Sequence, residues 1–170
     1  MWTVGLSLIG FIVGGSLGFV VALGRISRSA PVAWLASCYV KLIQGTPLLI
    51  VMFVLYFGLP IVGLEVPPIV AASIGITLFS AAYLGEIWRG CLQAVSRTQW
   101  EAADCLALSR TQRLWLVVLP QALRIATPPT VGFMVQIIKN TSIASVIGMA
   151  EMTYILSLIH ISEPTRLRRI

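Results

Sequence analysis

Three groups of polar side chains interrupt an otherwise apolar chain, and each has a spacing that suits binding. Glu86 and Arg89 lie three residues apart, so on a helix they can form an ion pair. The second group is the run of four polar residues 139–142, and the third is the long polar stretch 96–112. Inside a membrane such side chains face a polar cavity or a partner and avoid lipid. They are therefore candidates for a solute path and for a docking surface.

Signatures of catalysis, metal binding and nucleotide hydrolysis are absent from the sequence. Cys38, Cys91 and Cys105 have no metal-ligand spacing, and His160 is the only histidine. No Gly-x-x-x-x-Gly-Lys run is present to cradle phosphates. A channel would need a polar ring through the spans, and a membrane enzyme would need paired catalytic residues at depth. We predict that the chain is not an enzyme and that it uses no metal and no cofactor.

The composition places the chain in a lipid bilayer. It is 58% hydrophobic and 11% charged, with a mean hydropathy of +0.93. Segments 1–24, 42–64 and 66–85 carry no charge, and each is long enough to cross the roughly 20-residue hydrocarbon core. A fourth, less regular span is expected after Arg124. We predict an all-α, polytopic membrane protein of about four transmembrane helices, with an amphipathic elbow helix over 27–44.

The cations predict the orientation. The connection between the second and third spans carries only Glu65, whereas both flanking connections are basic. The basic residues are Arg25, Arg28 and Lys41 before the second span, and Arg97, Arg110 and Arg113 after the third. Basic connections stay in the cytoplasm, so the amino terminus is expected outside a bacterial cytoplasmic membrane. The net charge of +6 is explained in the same way and requires no nucleic acid.

The first span contains a periodic run of small residues. Gly10, Gly14 and Gly18 recur every fourth residue. This spacing permits close helix packing in lipid, and it is also compatible with the general enrichment of small residues in membrane helices.

The polar stretch predicts two short helices placed back to back. Ser-Arg-Thr-Gln begins at Ser96 and again at Ser109, and each copy has the form of a capping box. In the first helix, Trp100, Ala103 and Ala107 fall at helical spacing on one side. We interpret the stretch as a folded docking element on the cytoplasmic side.

This stretch also resembles a known family motif. Glu101-Ala102-Ala103, Leu106-Ala107-Leu108-Ser109, Gln112 and Leu119-Pro120-Gln121-Ala122 together resemble the cytoplasmic EAA loop of ABC importer permeases. The family usually has Gly where this chain has Ala107, which puts the turn geometry in question if the bend needs positive φ. The resemblance implies that coupling to an ATP-binding subunit involves Trp100, Glu101, Ala102, Ala103, Leu106, Ala107 and Leu108.

Two further segments resemble the polar amino-acid branch of these permeases, namely 44–49 and 81–90. The resemblance implies a permease subunit of an ATP-driven amino-acid importer that works by alternating access. It implies a cytosolic ATP-binding subunit that hydrolyses ATP, an extracytoplasmic solute-binding protein, and a second permease subunit, identical or different. The alternatives are an importer of another small solute and a channel unrelated to ABC systems.

Two groups are candidates for the solute path. Glu86 and Arg89 either pair at the inner interface or point into the bundle, and we favour the second arrangement. Lys139, Asn140, Thr141 and Ser142 resemble the polar segment that lines the passage in this branch. Their distance from Arg124, about 22 Å along a helix, places them inside the membrane. Alternatively, Pro128-Pro129 delays the start of the span and moves Lys139 closer to the outside or into a re-entrant section.

The C-terminal sequence differs from the rest of the chain. Residues 157–170 contain His160, Pro164 and three arginines where the family has a final apolar helix. They resemble translated sequencing-adapter read-through. We therefore predict a truncated permease domain over 1–156 and a non-native tail over 157–170.

Overall fold

A computed structural model of the chain describes residues 2–147, and these residues form helices and turns with no β-strand. The α-helices are α1 (Trp2–Arg25), α2 (Ala30–Gln44), α3 (Leu48–Phe53), α4 (Leu59–Ile61), α5 (Pro68–Ala94), α6 (Arg97–Cys105), α7 (Arg110–Gln112) and α8 (Leu119–Asn140). Val54–Gly58 and Arg113–Val118 are π-helical, and Thr141–Ile147 is a 3-10 helix. The predicted all-α class is confirmed. The predicted boundary at 156 and the tail with His160 lie outside the described residues.

Two helices, α1 and α5, are long and apolar enough to cross a membrane. Helix α2 and the α3–α4 segment form a pair that is bent by 100° and makes a third span if it is counted as one broken span. Helix α8 has 22 residues but is less apolar than these candidates. Two or three spans thus follow from length and composition, and the fourth remains a prediction for α8.

The second and third spans differ in their limits from the uncharged segments. Helix α2 continues to Gln44, so residues 42–44 belong to α2, and the next helix starts at Leu48. Pro47 precedes it with an extended backbone, ψ 138°, which turns the chain out of α2. Helix α5 continues past residue 85 to Ala94 and so includes Glu86 and Arg89.

A glycine seam joins α1 to α5. A Cβ on Gly14 would lie 2.7 Å from the Ser80 Cβ and 3.1 Å from the Thr77 carbonyl oxygen, and a Cβ on Gly18 would lie 3.0 Å from the Ala81 carbonyl oxygen. Contacts this short leave no room for a side chain. The close-packing interpretation of the Gly10, Gly14 and Gly18 repeat is therefore correct.

The predicted elbow helix is present as α2, and a single long-range hydrogen bond fixes it to α5. The Tyr39 hydroxyl donates to the Leu78 carbonyl oxygen at 2.7 Å. Val40 and Ile43 are buried on the same side, whereas Leu35 is exposed. Its location at the membrane interface remains a prediction.

Helix α8 runs through both of its prolines. It begins at Leu119 and contains Pro128 and Pro129 in its interior, so these prolines do not interrupt the helix. Where the membrane span begins along α8 stays a prediction. The Phe133 ring stacks on that of Tyr83 with 5.5 Å between centroids, which packs α8 against α5. The main core lies between α1, α3, α5 and α8, and its largest fully buried members are Leu6, Met52, Ile76, Leu84 and Ile137.

Candidate functional site

The polar stretch folds into two short helices, as predicted, but only one of the two expected caps forms. At Ser109 the capping box is complete: the Ser109 amide donates to Gln112 Oε1 at 2.9 Å, and the Gln112 amide donates to Ser109 Oγ. Ser96 makes no side-chain cap, so that part of the prediction is wrong. Both segments share the same four letters, so the tetrapeptide alone does not decide whether the cap forms.

The turn between α6 and α7 is a Schellman motif with an alanine at its left-handed position. The Leu108 amide donates to the Ala103 carbonyl oxygen at 3.3 Å, and the Ala107 amide donates to that of Asp104 at 2.9 Å. This bond pair defines the motif, and its left-handed position is usually glycine. Ala107 has φ 53°, the only positive value for a residue other than glycine in the described part of the chain. The bend therefore requires a positive φ, and this backbone conformation strains Ala107 because alanine has a Cβ.

Helix α6 has an inner and an outer face. Ala103 is buried and Trp100 is half-buried against a cluster formed by Leu92, Val95, Val118 and Ala122. The outer residues of the predicted coupling set are exposed: Glu101, Ala102, Leu106 and Ala107. Leu108 is intermediate. Trp100 and Ala103 share a side as predicted, but Ala107 does not join them because it lies beyond the helix end.

Two side-chain contacts attach α6 to the π-helical segment Arg113–Val118 and to the start of α8. Asp104 forms an ion pair with Arg113, the first residue of the π-helical segment. Gln121 in α8 donates from Nε2 to Gln99 Oε1 at 3.1 Å. These contacts join residues that lie 9 and 22 positions apart in sequence, and the sequence reasoning missed both. The opposite charges of Asp104 and Arg113 were the only signal for the first.

Glu86 is the centre of a three-charge cluster. Arg89 Nε donates to both carboxylate oxygens, at 3.2 and 3.1 Å, which confirms the i,i+3 pair. Arg25, at the end of α1, forms a second ion pair with the same carboxylate. The three side chains are 16 to 31% exposed. The Glu86 carboxylate contacts a cation from each helix and so holds the end of α1 against α5. In the sequence, Arg25 was recognised only as one of the basic residues that predict the orientation.

The polar run 139–142 lies where α8 gives way to the 3-10 helix. Asn140 and Thr141 are buried, whereas Lys139 is exposed. Asn140 Oδ1 accepts from Gln136 Nε2 at 3.0 Å, and the Thr141 hydroxyl donates to the Ile138 carbonyl oxygen at 2.8 Å. The Ser142 hydroxyl donates to the Lys139 carbonyl oxygen at 2.7 Å. The run thus contains two buried polar side chains beside an exposed cation.

The two candidate path groups are far apart. Ile137, just before the polar run, lies beside Gly10 of α1, whereas Glu86 lies beside Arg25. From Gly10 to Arg25, α1 rises about 22 Å at about 1.5 Å per residue. The structure therefore does not bring Glu86 and Arg89 together with Lys139, Asn140, Thr141 and Ser142 in one site.

The described residues hold no cluster of three or more His, Cys, Asp or Glu side chains that could bind a metal. The three cysteines are free, with Cys91 buried and the other two exposed.

Comparison with known proteins shows what this arrangement resembles. Residues 14–163 match the family described as binding-protein-dependent transport system inner membrane component. The chain is 38% identical over 151 residues to the probable amino-acid ABC transporter permease protein YckA of Bacillus subtilis (strain 168), covering 89% of this chain and 67% of that protein. It is 36% identical over 151 residues to the L-cystine transport system permease protein TcyB of the same organism, with 89% and 64% covered.

A solved structure has the same fold. The crystal structure of an amino acid ABC transporter with histidines superposes with a TM-score of 0.87 at 32% identity, covering 92% of this chain and 73% of that one. The chain spans about two thirds of the length of the curated relatives it matches.

Proposed function

The chain belongs to the family of binding-protein-dependent transport system inner membrane components, and from this premise we propose that it is the permease subunit of an ATP-driven importer of polar amino acids. Relatives named as amino-acid permeases support the solute class, since the chain is 38% identical to one of them over 151 residues. The chain is a transport component of a bacterial membrane. ATP hydrolysis is assigned to a separate cytosolic subunit, because the sequence has no phosphate-binding loop.

The observation that carries this proposal is the two-faced helix α6. Its inner face, with Ala103 and Trp100, is packed against the chain itself, and its outer face, with Glu101, Ala102 and Leu106, is free to enter a groove of the ATP-binding subunit. The Asp104–Arg113 ion pair attaches this helix to the π-helical segment that leads into α8, and the Gln99–Gln121 hydrogen bond attaches it to α8 itself. A displacement of α6 is therefore passed to α8.

Helix α8 leads from the docking element to the polar run, which we propose as part of the solute path. Exposed Lys139 offers a cation for a solute carboxylate, and the buried polar side chains of Asn140 and Thr141 lie beside it. For Glu86 and Arg89, the contact with Arg25 favours a role in holding α1 to α5. This geometry supports a path through 139–142 rather than through the Glu86 cluster.

The remaining parts of the proposal concern assembly. The α6 face is assigned to the cytoplasm and the start of α1 to the outside, where an extracytoplasmic solute-binding protein delivers the amino acid. A second permease subunit completes the passage. Alternating access then consists of rocking two permease subunits about the polar run as the ATP-binding subunits close.

Charge reversal at Glu101 tests the docking face. Glu101 is exposed and makes no ion pair among the described residues, so Glu101→Lys leaves the fold intact. Loss of a charge-assisted contact, about 1.5–3 kcal/mol, lowers solute-stimulated ATPase activity and uptake at least tenfold in the reconstituted complex. The matched control is Glu65→Lys, an exposed charge reversal in the connection before α5. Equal activity in both variants contradicts the proposal.

A further inference from the structure

Two clefts lie next to each other along α1, and they differ in chemistry. The apolar cleft, about 510 Å³, lies between α1, α5 and α8 and is lined by residues such as Phe11, Phe19, Trp88, Leu92 and Ala126. The basic cleft, about 710 Å³, follows toward the end of α1 and is lined by residues such as Leu23, Ser27, Arg28, Trp100, Arg110 and Thr111. Leu92 lines both clefts, so they are adjacent.

The basic cleft contains two arginines without a counter-charge. Arg25, Arg89 and Arg113 are paired with carboxylates, but Arg28 and Arg110 form no ion pair with any residue of 2–147. No Asp or Glu of residues 2–147 lines this cleft. Ser27 and Thr111 add hydroxyl groups beside the two guanidinium groups. An anion with several oxygen acceptors matches this set, and arginine forms its strongest hydrogen bonds with such groups.

The apolar cleft has the length of a lipid chain within one leaflet. From Phe11 to Phe19, α1 rises about 12 Å, close to the roughly 15 Å that half of a hydrocarbon core provides. The basic cleft lies beyond its end, at the level where α1 leaves the membrane at Arg25. The half-buried Trp100 lines the same cleft, and tryptophan is typical of the boundary between headgroups and hydrocarbon.

We propose that the two clefts together bind one anionic phospholipid of the leaflet on the α6 side. Its phosphate lies between Arg28 and Arg110, and one acyl chain runs along α1 past Leu92 to Trp88. This site goes beyond the proposed transport function and uses none of the residues assigned to the solute path. Basic pockets between membrane helices on the cytoplasmic side are typical binding sites for anionic headgroups.

Fluorescence quenching in nanodiscs tests the site. A variant retains Trp88 and has the other four tryptophans replaced by phenylalanine. Phosphatidylglycerol or phosphatidylcholine with brominated acyl chains is then added at a low fraction to unlabelled phosphatidylcholine. Each arginine near an anionic headgroup contributes about a fivefold preference, so we expect brominated phosphatidylglycerol to quench Trp88 at about thirtyfold lower mole fraction. Equal quenching by both lipids overturns the proposal.

Charge variants complete the test. Arg28→Gln or Arg110→Gln alone should lower the preference about fivefold, and the double variant should abolish it. Arg124→Gln is the matched control, because Arg124 is exposed on α8 and lines neither cleft. Inorganic phosphate at equal concentration should not reverse the quenching, since it has no acyl chain to fill the apolar cleft. Reversal would show that the arginines bind the phosphate group alone, and it would contradict a site made of both clefts.

Native mass spectrometry of the unmodified chain gives an independent measurement. One phosphatidylglycerol should remain bound at activation energies that remove phosphatidylcholine, and the double arginine variant should lose it. Retention of the lipid by that variant contradicts the site whatever the effect of the tryptophan replacements on folding.

Discussion

Replacing Ala107 by glycine should strengthen the turn that ends α6. Ala107 has φ 53°, and an L-residue in this region is less stable than glycine by about 1–2 kcal/mol. Glycine loses part of this gain, about 0.5–1 kcal/mol, through the greater freedom of the unfolded chain. The net effect of Ala107→Gly is a stabilisation of about 0.5–1 kcal/mol, confined to the turn between α6 and α7.

Hydrogen exchange measures this local effect. The Ala107 and Leu108 amides close the Schellman bonds to Asp104 and Ala103, so their protection reports the opening of the turn. A gain of about 0.5–1 kcal/mol raises their protection about two- to fivefold, whereas amides in α1 should not change.

The matched control is Ala102→Gly, the same change at an exposed position inside α6. Glycine in a helix interior is destabilising by about 1 kcal/mol, so the protection of the same two amides should fall about fivefold. If both variants change protection in the same direction, left-handed strain at Ala107 does not control the stability of the turn and the reasoning is wrong.

Three further predictions concern packing, charge and solute preference. Gly14→Val should lower the free energy of unfolding by about 3 kcal/mol, and with it the thermal midpoint, because the new side chain meets the Ser80 Cβ. Gly5→Val, with open space around it, should leave the midpoint unchanged. Glu86→Gln should destabilise by about 1–2 kcal/mol, because two half-buried arginines lose their counter-charge; a midpoint equal to that of the parent chain would contradict this role. Asn140→Ala should alter competition among amino acids in uptake assays, and an unchanged profile would remove Asn140 from the path.

Local patterns predicted the features that depend on neighbours in sequence. The capping box at Ser109 and the pairing of Glu86 with Arg89 are set within one helical turn, where spacing alone decides contact. The left-handed turn at Ala107 was anticipated from the resemblance. The uncharged runs likewise predicted α1 and α5, since composition determines which segments enter lipid.

Features that depend on distant neighbours could not be predicted in this way. The absence of a cap at Ser96 and the pairing of Arg25 with Glu86 depend on how α1, α5 and α6 pack. Spacing also could not fix the fate of Pro128, because a proline ends some helices and is accommodated in others. The separation of the two candidate path groups likewise depends on contacts between residues distant in sequence, so it became apparent only from the packing of α8 against α1.

The glycine seam limits how this subunit can change shape. Where Gly14 and Gly18 face α5, the main chain of α1 lies directly against backbone atoms and the Cβ atoms of Ser80 and Leu84, with no flexible side chain between the helices. We therefore expect the two helices to move together as one unit in a transport cycle. Bending is then left to the junctions outside this unit, such as the 100° corner that separates α2 from α3.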